Sequence, residues 1–280
     1  MSLNTIAKIN YIEKECKSVL NKSGIADYAV NCYTGCAHAC VYCYARFASR
    51  FTHPGEPWGT FVDVKINAAE ILAREAKRKK PGAVMLSSVC DAWQPAEARY
   101  GLTRQCIEIL VQNKFEIRTL TKNALASRDL DVLAGAENVD FGVTITSLDH
   151  QLCGIIEPMA SPPEKRLELL EKAKSKGLTT YAFVGPLLPY LSDTGENIFN
   201  VLKAVKEAGV DYFYIDKTNL RYGVWPALLK MLRERYPDLL EKYREIFFQP
   251  AANARYIEGI YSRARESAAG LGIADKMTIC

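Results

Sequence analysis

Short runs of β-branched and aromatic residues alternate along the chain with longer stretches in which apolar side chains recur every three or four positions. The first kind predicts strands at 28–30, 83–88, 115–120, 139–145, 179–184 and 210–215. The second predicts amphipathic helices at 68–79, 102–112, 163–175 and 197–208. The third of these helices starts on Pro162-Pro163 and stops at Gly177, and the fourth stops at Gly209, which are sound punctuation signals. Strands that strictly alternate with helices imply a parallel sheet with right-handed crossovers. Six such units predict an α/β fold of the partial (β/α)6, TIM-like barrel type, short of the full eight. A doubly wound sheet shares this periodicity and stays open at this point. Beyond about residue 225 the pattern is helical only, through MLRERY, LLEKYREIFF and ARYIEGIYSRARESAA. The expected organisation is therefore an N-terminal segment (1–25), a barrel (26–224) and a helical extension packed on it (225–280).

A chain of 280 residues is long for one ordinary domain but suits a single α/β barrel. A formal charge of +4 tolerates a polyanionic partner without arguing for one. The start, MSLNTIAKINYIEKECKSVL, lacks the apolar core of a signal peptide, and no run approaches the roughly 18 apolar residues of a membrane span. A reducing cytoplasm is the expected compartment, where clustered cysteines read as metal ligands or catalytic thiols before disulfides.

Four of the nine cysteines, Cys32, Cys36, Cys40 and Cys43, fall within twelve residues, in NCYTGCAHACVYCYARF. Cys36, Cys40 and Cys43 are spaced C-x3-C-x2-C. Ferredoxin-type cubanes take four thiolates, so three close ligands leave one iron open to a substrate or cofactor, as in catalytic metal sites generally. A zinc knuckle is the competing reading of Cys40 and Cys43. Zinc wants four closed ligands, however, no second C-x2-C pair follows, and His38 sits awkwardly between two of the cysteines. Cys32 falls outside the spacing and reads as a buried or first-strand residue, and Cys106 and Cys153 as small hydrophobes.

The cysteine spacing, with Tyr42 before the last cysteine and the whole loop after the first strand, resembles the signature of the radical S-adenosylmethionine (radical SAM) superfamily. That resemblance implies a partial barrel, a [4Fe–4S] cluster on Cys36, Cys40 and Cys43, and S-adenosylmethionine chelated by the open iron. One electron then splits the cofactor to a 5′-deoxyadenosyl radical. The segments GCAHACVYCYARF, SSVCDAWQPAEARYGLTRQCIEIL, LTKNALASRDLDVL and VTITSLDHQLCGIIEP resemble, in order, the branch around spore photoproduct lyase. Carried over by position, Tyr42 lies against the adenine and Lys122 meets the cofactor carboxylate. Ser88 and Asp91 mark the strand end that contacts its amino group. Thr144 and Thr146 alternate on one face of the fourth expected strand, so both are expected to point into the barrel toward the ribose. In that branch a cysteine returns a hydrogen atom to the product radical. Here Ser88 holds that position, and Cys90, two residues on, is the candidate catalytic thiol. The bland readings are a solvated strand-end lysine, a turn-capping aspartate, ordinary strand threonines and a buried thiol.

Asp216, Asn219 and Arg221 follow the last strand, at the barrel end that usually faces a ligand, and are candidate substrate residues. The run REAKRKK reads as a solvated helix end. The expectation is a radical SAM enzyme, of lyase or transferase type, supplied by a one-electron reductant such as ferredoxin or flavodoxin. Its substrate would be a small molecule, nucleotide or peptide, with DNA implied only by the branch. A nucleic-acid-associated protein with a structural cluster is the alternative. An electron-transfer protein fails on ligand count.

Overall fold

The computed structural model describes residues 8–280. The chain begins with β1 (Asn10–Lys14), β2 (Leu20–Lys22) and β3 (Tyr28–Val30), and β4 (Tyr33–Thr34) leads into the cysteine loop. A 3₁₀ turn (Tyr44–Ala48), α1 (Ser49–Thr52), β5 (Phe61–Lys65) and α2 (Ala68–Ala76) follow. Next come β6 (Ala83–Leu86), α3 (Glu97–Tyr100), α4 (Leu102–Gln112), β7 (Glu116–Thr121), a second 3₁₀ turn (Ala124–Asp129) and α5 (Leu130–Leu133). The middle of the chain continues as β8 (Val139–Thr144), α6 (His150–Ile156), α7 (Pro163–Ser175), β9 (Thr179–Leu187), α8 (Gly195–Glu207) and β10 (Tyr212–Lys217). The last part holds α9 (Val224–Arg235), α10 (Leu240–Phe248), α11 (Pro250–Gly270) and β11 (Met277–Ile279).

All six strands expected from the pattern pair in parallel, in the order β3-β6-β7-β8-β9-β10. One cavity is lined by residues from β6 through β10, so the sheet curls into an open barrel and the doubly wound alternative is set aside. Helices cover its outside. Proline at the first turn of α7 and Gly177 in the left-handed region after it delimit that helix, and the Thr194 hydroxyl accepts from the Asn197 N–H to cap α8.

Two expectations need correction. The region after residue 225 is not helical only: β11 returns to the sheet and pairs in parallel with β10. Three residues, MTI, are too few to declare a strand by periodicity. Nor does the N-terminal segment stand apart. β2 pairs antiparallel with β3, and β1 pairs with β5, which also takes β4, in a second three-stranded sheet. NYIEK is polar enough to hide its strand character.

The barrel strands show an inverted alternation. On β7, Ile117, Thr119 and Thr121 are buried against the helices, while Arg118, Leu120 and Lys122 just after it point inward and keep access to solvent. On β10, Phe213 and Ile215 are fully buried outward, and Tyr214 and Asp216 face the interior. The dry core therefore lies between sheet and helices, and the barrel interior is a cavity of about 450 Å³.

Candidate active site

The cysteine loop is pinned from several sides. The Gln94 side chain accepts the Ala37 N–H (2.8 Å) and donates to the Gly35 carbonyl (3.1 Å). The Val41 N–H donates to the Ile156 carbonyl, and Arg46 Nη2 donates to the Cys40 carbonyl, both at 2.9 Å. Gly35, at φ +85°, leaves no room for a side chain, since a Cβ there would lie 2.5 Å from the Phe61 carbonyl oxygen. Cys36 and Cys40 are buried and Cys43 half-buried. Cys36 and Cys43 pack against Trp58 and Phe61, while Cys40 and Cys43 line the barrel cavity beside Tyr42.

Burial pushes all three thiols above their ordinary value, Cys40 to about 12, and the neighbouring Asp91, Cys40 and Cys43 add to the rise at Cys36. Such a site is poor at holding bare thiolates and needs a compensating positive centre, which iron supplies when it displaces the protons. Two buried donors, Arg46 Nε and Trp58 Nε1, find no partner among the described residues, and their residues border the cysteines. Hydrogen bonds to sulfur are among the factors that set the potential of such clusters. The donor set thus fits an iron–sulfur cluster better than a single ion. His38, the candidate fourth zinc ligand, is taken up elsewhere: Nε2 meets Asn123 Nδ2 at 3.2 Å and Nδ1 lies 3.5 Å from Asp91, with burial keeping the ring neutral.

Of the other residues singled out in the sequence, Tyr42, Lys122, Thr144, Asp216 and Asn219 line this cavity. Lys122 Nζ stands 3.4 Å from the Thr144 hydroxyl and 5.7 Å from the centre of the Tyr42 ring. Burial alone would lower its ammonium, but Cys40, Cys43 and the carboxylates of Glu157 and Asp91 hold it above the ordinary lysine value.

The remaining expected residues lie elsewhere. Asp91 accepts from the Trp93 N–H, the Thr121 hydroxyl and the Lys122 N–H, at 2.7–2.9 Å. These bonds engage both carboxylate oxygens and tie Asp91 to the end of β7, outside the lining of the cavity. Ser88 Oγ accepts from Asn31 Nδ2 at 3.2 Å, and Cys90 Sγ sits 3.5 Å from the Tyr33 carbonyl, on the Trp58 side of the loop. Thr146 is fully buried between Glu157 and the Gly185 carbonyl, each 3.0 Å away. Arg221 is exposed, outside the cavity.

Sequence reasoning missed the buried pair of Glu157 and Arg166. Glu157 accepts from the Tyr42 phenol, from Thr146 and from the Arg166 guanidinium (2.5 Å), which also donates to the carbonyls of Ser161 and Thr144. Burial alone would raise the Glu157 carboxyl, but Arg166 and Lys122 keep it below the ordinary value. The only signal was Glu157 at the end of the quoted segment ending IIEP; Arg166 reads as one more surface charge of an amphipathic helix.

The family model described as the radical SAM superfamily matches residues 30–202, more than half the chain. The chain belongs to the radical SAM superfamily. An uncharacterized protein of Methanocaldococcus jannaschii is 31% identical over 93% of this chain and 95% of its own length. An uncharacterized Mycobacterium bovis protein is 33% identical over 85% and 74%. The spore photoproduct lyase of Clostridium acetobutylicum is a more distant relative, 26% identical over 59% and 48%. Solved spore photoproduct lyase structures share the fold. One complexed with dinucleoside spore photoproduct superposes with a TM-score of 0.62 at 18% identity, covering 85% of this chain and 80% of that one. Another, with bound AdoMet and the same dinucleoside, gives 0.63 at 16% over the same shares. In this radical SAM protein the matched span takes in the cysteine loop and the strands β6 to β9. Among the described residues, no helix is long and apolar enough to cross a membrane.

Proposed function

We propose that this radical SAM enzyme holds a [4Fe–4S] cluster on Cys36, Cys40 and Cys43 and cleaves S-adenosylmethionine reductively to start hydrogen abstraction from a substrate deeper in the barrel. The supporting observation is that Cys40, Cys43, Tyr42, Lys122 and Thr144 share one cavity with inward-facing residues of β9 and β10. When bound, the cluster and cofactor supply the one-electron cleavage that yields a 5′-deoxyadenosyl radical; the chain supplies orientation and seclusion. Lys122, kept charged, offers a donor to the cofactor carboxylate. Thr144 presents a hydroxyl beside it, and Tyr42, fixed through its phenol, forms a flat wall. Asp91 positions Lys122 through the backbone. The electron comes from a one-electron reductant of the ferredoxin or flavodoxin kind.

The test is anaerobic reconstitution with iron and sulfide, followed by dithionite and S-adenosylmethionine. Formation of 5′-deoxyadenosine by the wild type and its loss in Cys36→Ala are expected. No product from a protein with full iron and sulfide content would reject the proposal.

A further inference from the structure

Below the level of Lys122 and Thr144 the cavity continues into a chamber whose walls are mostly rings. Tyr181 and Tyr212 stack at 5.2 Å with planes 6° apart. Tyr214 stands edge-on to both, at 5.7 and 5.6 Å, and Phe183 tilts against it at 6.2 Å. The sequence makes room for this arrangement at Gly142, where a Cβ would lie 2.1 Å from the Tyr181 ring. A side chain there would drive that ring into the open space; glycine lets it lie across β8, held by its phenol on the Thr119 carbonyl (3.0 Å). Met85 and Leu120 complete the apolar wall. At the lower rim Arg118 and Asp140, 3.7 Å apart and both partly exposed, place a donor and an acceptor side by side.

Size and charge narrow the occupant. The whole cavity, about 450 Å³, is at the small end of ligand sites. On the functional reading above, on which this inference rests, the cofactor takes its upper part. The space left is smaller still, so the group that enters the chamber is a small one. Arg118 is paired with Asp140, and Lys217, which also lines the cavity, donates to the Tyr261 hydroxyl and the Cys280 carbonyl, so the chamber favours a neutral occupant over a phosphate or a carboxylate. Ring walls favour a flat π-system, by offset stacking and edge contacts, over a puckered saturated one.

We propose that this chamber binds an uncharged, planar unsaturated ring whose donor–acceptor edge meets Arg118 and Asp140, and that this ring is the part of the substrate brought to the cofactor. The matched probes are benzamide and cyclohexanecarboxamide, which carry the same amide edge on a flat and a puckered ring. They are titrated anaerobically into the reconstituted holoenzyme with S-adenosylmethionine present. Benzamide should bind saturably and about tenfold more tightly, the gain expected from one or two ring contacts. Tyr214→Leu should abolish the preference while leaving the affinity for S-adenosylmethionine unchanged. Equal affinities, or saturable binding of neither probe while S-adenosylmethionine still binds, would overturn the chamber assignment alone. A loaded enzyme that fails to bind S-adenosylmethionine would remove the functional reading and this inference with it.

Discussion

Replacing Glu157 by glutamine tests whether the buried pair with Arg166 holds the cysteine loop in place. Neither side chain is more than 1% exposed, so Arg166 would keep its charge with no counter-ion and no access to water. Breaking such a pair from one side costs about 3–5 kcal/mol. Glutamine can still accept from Tyr42 and Thr146, and Arg166 keeps the Ser161 and Thr144 carbonyls, so the low end, about 3 kcal/mol, is expected. With a melting shift of about 2–4 °C per kcal/mol in a chain of this size, the variant should melt roughly 6–12 °C lower. Circular dichroism melts of metal-free protein measure this directly. The double variant Glu157→Met with Arg166→Met, which removes both charges, should recover much of the loss. The loss should also depend on pH. The Glu157 carboxyl sits below its ordinary 4.5, so its stabilisation is complete above that value and disappears as pH falls through the depressed one. The gap between wild type and Glu157→Gln should therefore be full at neutral pH and shrink in acid. A variant that melts within a degree or two of wild type at pH 7 would refute the reasoning.

Glu75, held at about 2 despite burial by Ser18, the Leu20 and Val19 N–H groups and Lys79, should make wild-type stability decline from pH 4.5 towards 2, and Glu75→Gln should flatten that decline in urea titrations. Gly142→Ala should cost about 1–3 kcal/mol through collision with the Tyr181 ring, and Tyr181→Leu in the same chain should relieve it; denaturation midpoints read both. Lys122→Met should weaken S-adenosylmethionine binding about 10- to 100-fold by losing a charge-assisted contact, with iron content unchanged; equal affinity by calorimetry would count against the assigned contact. Cys32→Ala should keep the brown iron–sulfur absorbance that Cys40→Ala loses, because the Cys32 thiol faces Cys106 at 3.4 Å rather than the loop interior.

The sequence pattern located the six parallel strands and the helices between them, since both depend on local periodicity. Cysteine spacing located the loop for the same reason. Lys122 and Thr144 were legible as strand-end residues. Thr146 was not, because the alternation that placed it beside Thr144 applies only within a strand and β8 ends at Thr144. The bonding of Asp91 was not legible, because nothing local reveals that Trp93, Thr121 and Lys122 donate to its two oxygens. Arg221 lies four residues beyond the end of β10, where the chain has already left the barrel. The partnership of Glu157 with Arg166 crosses a helix break, and no spacing rule spans one.

The inverted alternation of the strands sets where this molecule tolerates change. In a filled barrel, every strand position carries packing energy. Here outward positions such as Ile117, Phe213 and Ile215 carry most of it, and truncating one would cost several kcal/mol. Inward ones such as Leu120, Phe183 and Tyr214 border open space and can be exchanged at little thermodynamic penalty. Drift among descendants of such a shell would therefore reshape ligand preference long before it threatened folding, so one scaffold can be retuned to many compounds by a few exchanges facing the hollow.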